Sequence, residues 1–263
     1  MGAMAFWECV RQAWVDATGF VRRRPFTVAA AFAILLADNA ISIESGGLHG
    51  LSSSAIASNL LQWIFIPVRF AVMIALPIQV VRYVMLGEQE SHPRSVFGKQ
   101  FWRYFGLCLA IGFGSIVVGA LIVAVGFSVT HSFNGYLGKT GLQLFVWSVI
   151  AICVVTFIAI RFSLLFCHVG IGRAIRWRAS WRDTRGHFWR IVVSHMLTLA
   201  PLEVFLIALF AVLRAWSSTG DRSTSLYPIA IVVSLFSSVG MVVGATCACW
   251  LYRRFARALL ENP

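Results

Sequence analysis

The chain has 263 residues, of which 59% are hydrophobic and 12% charged, and its formal net charge is +12. Soluble domains carry about 25% charged residues, so roughly half the charge needed to coat a water-facing surface is present, which excludes a soluble globular domain. The positive charge lies in clusters between apolar runs, and that placement argues for anionic lipid headgroups as counter-charge and against nucleic acid.

In chain order, the first segment, 4–22, places Trp7, Val10, Trp14, Ala17 and Val21 at helical spacing, with Glu8, Arg11 and Asp16 off that stripe. This pattern predicts an amphipathic helix lying in the membrane interface. Arg22, Arg23 and Arg24 then precede an apolar run over 25–43, which reads as a first span and not as a cleaved signal peptide, because no small-x-small site follows. Further apolar runs cover 60–86, 105–130, 142–171, 191–216 and 227–252. Each reaches or approaches the roughly 20 residues that cross about 30 Å of hydrocarbon.

The connections between spans alternate in character. Arg82, Arg94, Lys99 and Arg103 mark one basic connection, Arg173 to Arg190 a second, and Arg253, Arg254 and Arg257 follow the last span. The other connections are rich in Ser, Thr, Gly and Asn and hold only Lys139, Arg214 and Arg222. By the positive-inside rule the basic connections and both termini are cytoplasmic. Two of these connections carry further amphipathic segments, 91–103 and 174–188, the latter with Ala174, Trp177, Trp181, Thr184 and Phe188 at helical spacing among arginines.

The fold class expected is therefore all-α: a single polytopic membrane domain over 1–263, with about six transmembrane helices and interfacial amphipathic helices on the cytoplasmic side. Three repeated units, each an interfacial helix followed by a helix pair, begin near Met4, Ser91 and Gly172. Phe101-Trp102-Arg103 is echoed by Phe188-Trp189-Arg190, and Arg69-Phe70 by Arg161-Phe162.

Arg161-Phe162-Ser163-Leu164-Leu165-Phe166, followed by the run from Ala179 through Trp181, Thr184 and Gly186 to Trp189-Arg190-Ile191, resembles a broad group of bacterial inner-membrane proteins. That group is related to the membrane domain found with some glycerophosphodiester phosphodiesterases. The stretch from Arg82 to Glu88 is similar to the group's second-span ending, and the likeness covers 69–201. Cys167 stands where the group usually has proline, so the kink expected there is absent or displaced to Gly170. The resemblance implies a six-helix inner-membrane fold and assigns no chemistry, since the phosphodiesterase catalytic domain is not among these residues.

Ionisable side chains inside spans are functional suspects. Asp38, Arg69, Arg161 and Glu203 lie at depths of about 20, 27, 18 and 20 Å from the cytoplasmic edge at 1.5 Å per residue. Two acids and two bases in one slab form a candidate intramembrane polar cluster, with Asp38 or Glu203 paired to Arg69 or Arg161. Pro201, two residues before Glu203, frees carbonyls that need partners in lipid. Arg173, Arg176, Arg178, Arg182, Arg185 and Arg190 form a candidate headgroup-binding cluster. Gly106, Ala110 and Gly114, and Gly240, Gly244 and Ala248, make small-x-x-x-small stripes for helix packing within the chain or across a homodimer.

No metal-ligand spacing, phosphate-cradling glycine loop or nucleophile elbow is present. Neither catalytic residues, a metal nor a cofactor is expected. The six cysteines lie in spans or on the basic side and suit small apolar packing better than disulfides. The favoured reading is a non-enzymatic inner-membrane protein that binds lipid or a protein partner, as an accessory subunit of a larger assembly. The alternative is a small transporter or lipid translocator with a path near Arg69, Arg161 and Glu203.

Overall fold

A computed structural model describes residues 4–47, 53–87, 98–133, 140–217 and 226–260. Among them every regular element is helical: α1 (Met4–Arg23), α2 (Pro25–Gly47), α3 (Ser53–Leu86), α4 (Lys99–Phe133), α5 (Thr140–Gly170), α6 (Trp177–Thr184), α7 (Phe188–Ser217), α8 (Leu226–Phe255) and α9 (Arg257–Leu260). Six of these, α2, α3, α4, α5, α7 and α8, are long and apolar enough to cross a bilayer, and they coincide with the six predicted runs. The chain is a multi-pass α-helical membrane protein.

The helix boundaries follow local chemistry. Pro25 has no N–H to donate, so it sits well in the first turn of α2, and it disfavours helical geometry at Arg24, which separates α1 from α2. Helix α5 runs unbroken through Cys167 and stops two residues before Gly172, whose φ of +93° only glycine adopts without strain. There the N–H of Gly172 donates to Val169 O at 2.9 Å and that of Arg173 to His168 O at 3.2 Å, a Schellman ending. A Cβ at Gly172 would lie 2.5 Å from Gln100 Nε2, and one at Gly170 would lie 3.0 Å from Val81. The ends of α3, α4 and α5 therefore converge closely at this point.

Helices α4 and α5 form an antiparallel hairpin, in which a Cβ at Gly126 would overlap the Trp147 ring and one at Gly119 would touch Val155. Helix α8 is the centre of the bundle and touches α1, α2, α3, α5 and α7. Its central position explains its sequence. Ser234, Ser238 and Thr246 are fully buried there, and each hydroxyl donates to a carbonyl of its own helix three or four residues back. Short side chains that satisfy themselves allow five neighbours to approach.

Helix α1 forms as its spacing predicts and buries most of the predicted stripe. Val10 and Ala17 are buried, with Ala13 and Phe20 beside them, and Trp14 and Val21 pack against the core, whereas Trp7 is 70% exposed. The helix is pinned to the bundle by three polar contacts. Trp14 donates its indole N–H to Thr198 O at 3.1 Å, Trp250 donates to Asp16 Oδ2 at 2.8 Å, and the Thr246 hydroxyl donates to Ala13 O at 3.0 Å. The first contact lies one turn before Pro201, where the helix ladder of α7 is weakened. Helix α1 is thus packed among the basic-side halves of α7 and α8. Small Ala13 and Ala17 allow that approach, and bulky Trp7 stays outside.

Helix α6 is shorter than its predicted 174–188 range and lies along α5. Trp177 and Trp181 meet Phe162 with ring centroids 5.0 and 6.0 Å apart. Of the expected segment 91–103, residues 91–97 lie outside the described residues, and from Lys99 onward the chain belongs to α4. Arg94, Lys139 and Arg222 likewise lie outside the described residues.

Candidate functional site

The basic end of the bundle, where α1, α6 and α9 gather, holds a cavity of ≈ 360 Å³ lined by Arg182, Asp183, Arg185, His187, Arg190, Arg254, Phe255 and Arg257. Local backbone chemistry delivers these residues. Thr184 to His187 form a type II turn: Arg185 has φ −68° and ψ 124°, Gly186 has φ +85°, and the His187 N–H donates to Thr184 O at 3.2 Å. A Cβ at Gly186 would meet no atom within 4 Å, so glycine is needed there for its φ and not for space. The turn joins α6 to α7 abruptly and brings Arg182, Arg185, His187 and Arg190 around one opening.

The opposite wall comes from the end of α8 and from α9. Asp183, 8% exposed, accepts from the backbone N–H groups of Ala258 at 2.8 Å and Leu259 at 2.9 Å, one to each carboxylate oxygen. These are the free donors at the start of a helix, which a carboxylate satisfies well. This clamp holds α9 against α6 and places Arg257 at the cavity. The only acid in the lining therefore has both oxygens engaged. Arg182, Arg185, Arg190 and Arg257 are exposed and form no ion pair with a carboxylate among the described residues. Nδ1 of His187 is buried without a hydrogen-bond partner, while its ring lies 4.8 Å from that of Phe255.

Of the six predicted headgroup residues, Arg182, Arg185 and Arg190 line this cavity, whereas Arg173, Arg176 and Arg178 do not. Arg254 and Arg257 are additional members. Their signal was the basic cluster after the last span, since an even number of spans returns the chain to the side where it began.

A narrow cleft of ≈ 20 Å³ adjoins the cavity, lined by Phe6, Cys9, Ser194 and Leu251 and sharing Arg190, Arg254 and Phe255 with it. Cys9 lies here. The Cys247 thiol and then the Arg254 guanidinium hold the Cys9 thiol below the ordinary thiol range, against the opposing effect of partial burial.

The four intramembrane charges do not form one cluster. Arg69 pairs with Asp38 at 2.9 Å, with the Asp38 side chain 5% exposed and that of Arg69 47% exposed. Arg161 lies instead beside α6, its guanidinium 4.9 Å from the Phe157 ring, 4.8 Å from Trp181 and 5.8 Å from Phe188, and it donates to Thr184 Oγ1 at 3.3 Å. Aromatic faces take the place of the expected carboxylate. Glu203 is exposed on α7 and lines a ≈ 240 Å³ cleft with Leu199, Leu202, Val233, Ser237 and Gly240.

The small-residue stripes also behave differently from the packing expectation. A Cβ at Gly106, Gly114, Gly240 or Gly244 would meet nothing within 4 Å, so among the described residues no helix presses on those glycines. Gly240 lines the Glu203 cleft. Gly244 and Ala248 line a ≈ 300 Å³ cavity with Tyr104, Ser163, Phe166 and His195. Small side chains on α8 leave room there instead of closing it. The close approaches within the chain fall at Gly126, Gly170 and Gly172.

Among the described residues no three His, Cys, Asp or Glu side chains gather as a metal site would require. His168 Nδ1 lies 2.8 Å from the Tyr252 hydroxyl, and His195 Nδ1 lies 3.2 Å from Cys247 Sγ. Cys247 is fully buried, which shields its thiol from any substrate. Compared with known proteins, the chain matches no family model, no curated sequence and no solved structure.

Proposed function

We propose that the protein binds anionic lipid headgroups in the basic cavity, on the cytoplasmic side of a bacterial inner membrane, as a non-catalytic and accessory component. The observation that carries this reading is four arginines around one cavity, without carboxylate partners among the described residues, where the acid in the lining is hydrogen-bonded to a helix terminus. Guanidinium groups recognise phosphate oxygens through paired N–H donors, and basic pockets between spans at this level suit lipid headgroups. Trp189, 73% exposed beside Arg190, supports placing the cavity at headgroup depth, where tryptophan is enriched. The resemblance of 69–201 to the inner-membrane group agrees with this setting and adds no chemistry to it.

Native mass spectrometry of the protein released gently from its own membrane tests the reading. Bound anionic phospholipid is expected, and it is lost in Arg185→Gln/Arg190→Gln while both forms remain monodisperse. Release of lipid-free protein, or equal lipid retention in the variant, would overturn the assignment. A co-purifying protein would identify the assembly it serves.

The alternative of a small transporter or lipid translocator has one supporting feature, the exposed Glu203 at its cleft in the middle of α7. Arg69 and Arg161 are engaged elsewhere, so such a path rests on Glu203 without them.

A further inference from the structure

We propose that the ligand of the basic cavity is a lipid whose headgroup carries two phosphates, not one. This rests on the anionic-lipid reading above and deepens it by charge count. Arg182, Arg185, Arg190 and Arg257 are unpaired among the described residues, and Arg254 lines the same space. Asp183 supplies one negative charge against these five arginines, and each of its oxygens already accepts from Ala258 or Leu259.

A phosphodiester carries a single negative charge. It would neutralise one guanidinium and leave three others repelling one another in a partly enclosed space, where water screens them less than on an open surface. Two phosphates on one headgroup allow two arginines to each, in the forked geometry that guanidinium prefers. His187 lines the same cavity, with its ring 4.8 Å from that of Phe255. A lipid is favoured over a soluble diphosphate because the cavity lies at the basic end of the spans, with Trp189 73% exposed beside Arg190 and the apolar side chains of Phe6 and Leu251 next to the shared Arg190, Arg254 and Phe255. An acyl chain leaving the headgroup passes into the bilayer along such a surface, whereas a free anion would leave it unused.

The test reconstitutes the full chain in phosphatidylcholine nanodiscs doped with diphosphatidylglycerol, or with phosphatidylglycerol at twice the mole fraction so that phosphate content is equal. Retained lipid is read by native mass spectrometry. Diphosphatidylglycerol is expected to be retained at least about tenfold more strongly, and the preference is expected to collapse in Arg185→Gln/Arg257→Gln. Both of these side chains are exposed, so the substitutions leave the fold intact, which an unchanged thermal transition would verify. Equal retention at matched phosphate overturns the two-phosphate proposal and leaves the anionic-lipid reading standing. Retention of neither lipid overturns both. Inorganic diphosphate that binds lipid-free protein as tightly as the two-phosphate lipid does would place the ligand in the aqueous phase and overturn the lipid assignment.

Discussion

Asp38 and Arg69 illustrate how unequal the two members of one ion pair can be. The carboxylate is buried, while nearly half of the Arg69 side chain is exposed. Removing the arginine strands a charge away from water, whereas removing the acid leaves a long side chain free to reach the interface. Arg69→Met is therefore expected to cost about 2–4 kcal/mol of stability and Asp38→Asn distinctly less, with the double variant recovering most of the loss. Unfolding in micelles, compared across the three variants, checks that order; equal costs would contradict it. Cys9 gives a second expectation at this scale. Its thiolate is favoured by Cys247 and Arg254, so the pH midpoint of its alkylation rate should fall below the ordinary thiol value near 8.5. The midpoint should rise most in Cys247→Ala and less in Arg254→Gln. A midpoint at or above the ordinary value in the unmodified protein would refute that description of the cleft.

Two of the shortest segments organise the basic end. The type II turn at Thr184–His187 and the clamp of Asp183 on α9 together decide which arginines meet. The clamp yields a prediction whose sign opposes simple electrostatics. Asp183→Ala removes a negative charge from the cavity, which by charge alone should strengthen anion binding. It also removes two hydrogen bonds to the buried Ala258 and Leu259, at a cost of about 1–3 kcal/mol, and so frees α9 and Arg257. Weaker retention of anionic lipid is expected, together with faster amide exchange at Ala258 and Leu259; stronger retention would show that Arg257 is not held by this contact. Glycine placement follows the same local logic. Gly172 and Gly186 serve backbone angles, Gly126 and Gly170 serve close approach, and Gly240 and Gly244 do neither, which separates them from a packing seam within the chain.

At the scale of the whole molecule, the bundle is asymmetric. Helix α8 is surrounded by five helices, whereas α4 packs chiefly on α5 and carries exposed Phe113, Ile116, Leu121 and Val125. In a bilayer such an apolar face is satisfied by lipid tails and needs no partner. Three adjacent helix pairs, α2–α3, α4–α5 and α7–α8, stand where the repeat was expected, yet the helices that precede the first and third differ. Helix α1 is a long wedge against α8, and α6 is a two-turn segment lying on α5. The echoed Arg69-Phe70 and Arg161-Phe162 likewise have unlike surroundings, an ion pair in one case and an aromatic box in the other.

The sequence alone determined the class, the six spans and the basic connections between them. These rest on hydropathy and charge, which are properties of short stretches of chain, whereas the turn at Gly186 interrupts the helix expected over 174–188. The sequence also pointed to three of the five arginines of the cavity, Arg182, Arg185 and Arg190. Only the tertiary structure decided that Arg69 meets Asp38 and not Glu203, that Arg161 is held by rings, and that Arg254 and Arg257 complete the basic cavity. The reason is rotational. Spans such as α3, α5 and α8 are apolar on nearly every side, so no stripe specifies which face meets which neighbour. Small residues could equally mark contact or open space. The angular setting of each helix is chosen by the packing of the whole bundle, and the functional cavity forms where those settings bring the ends of α6, α7, α8 and α9 together.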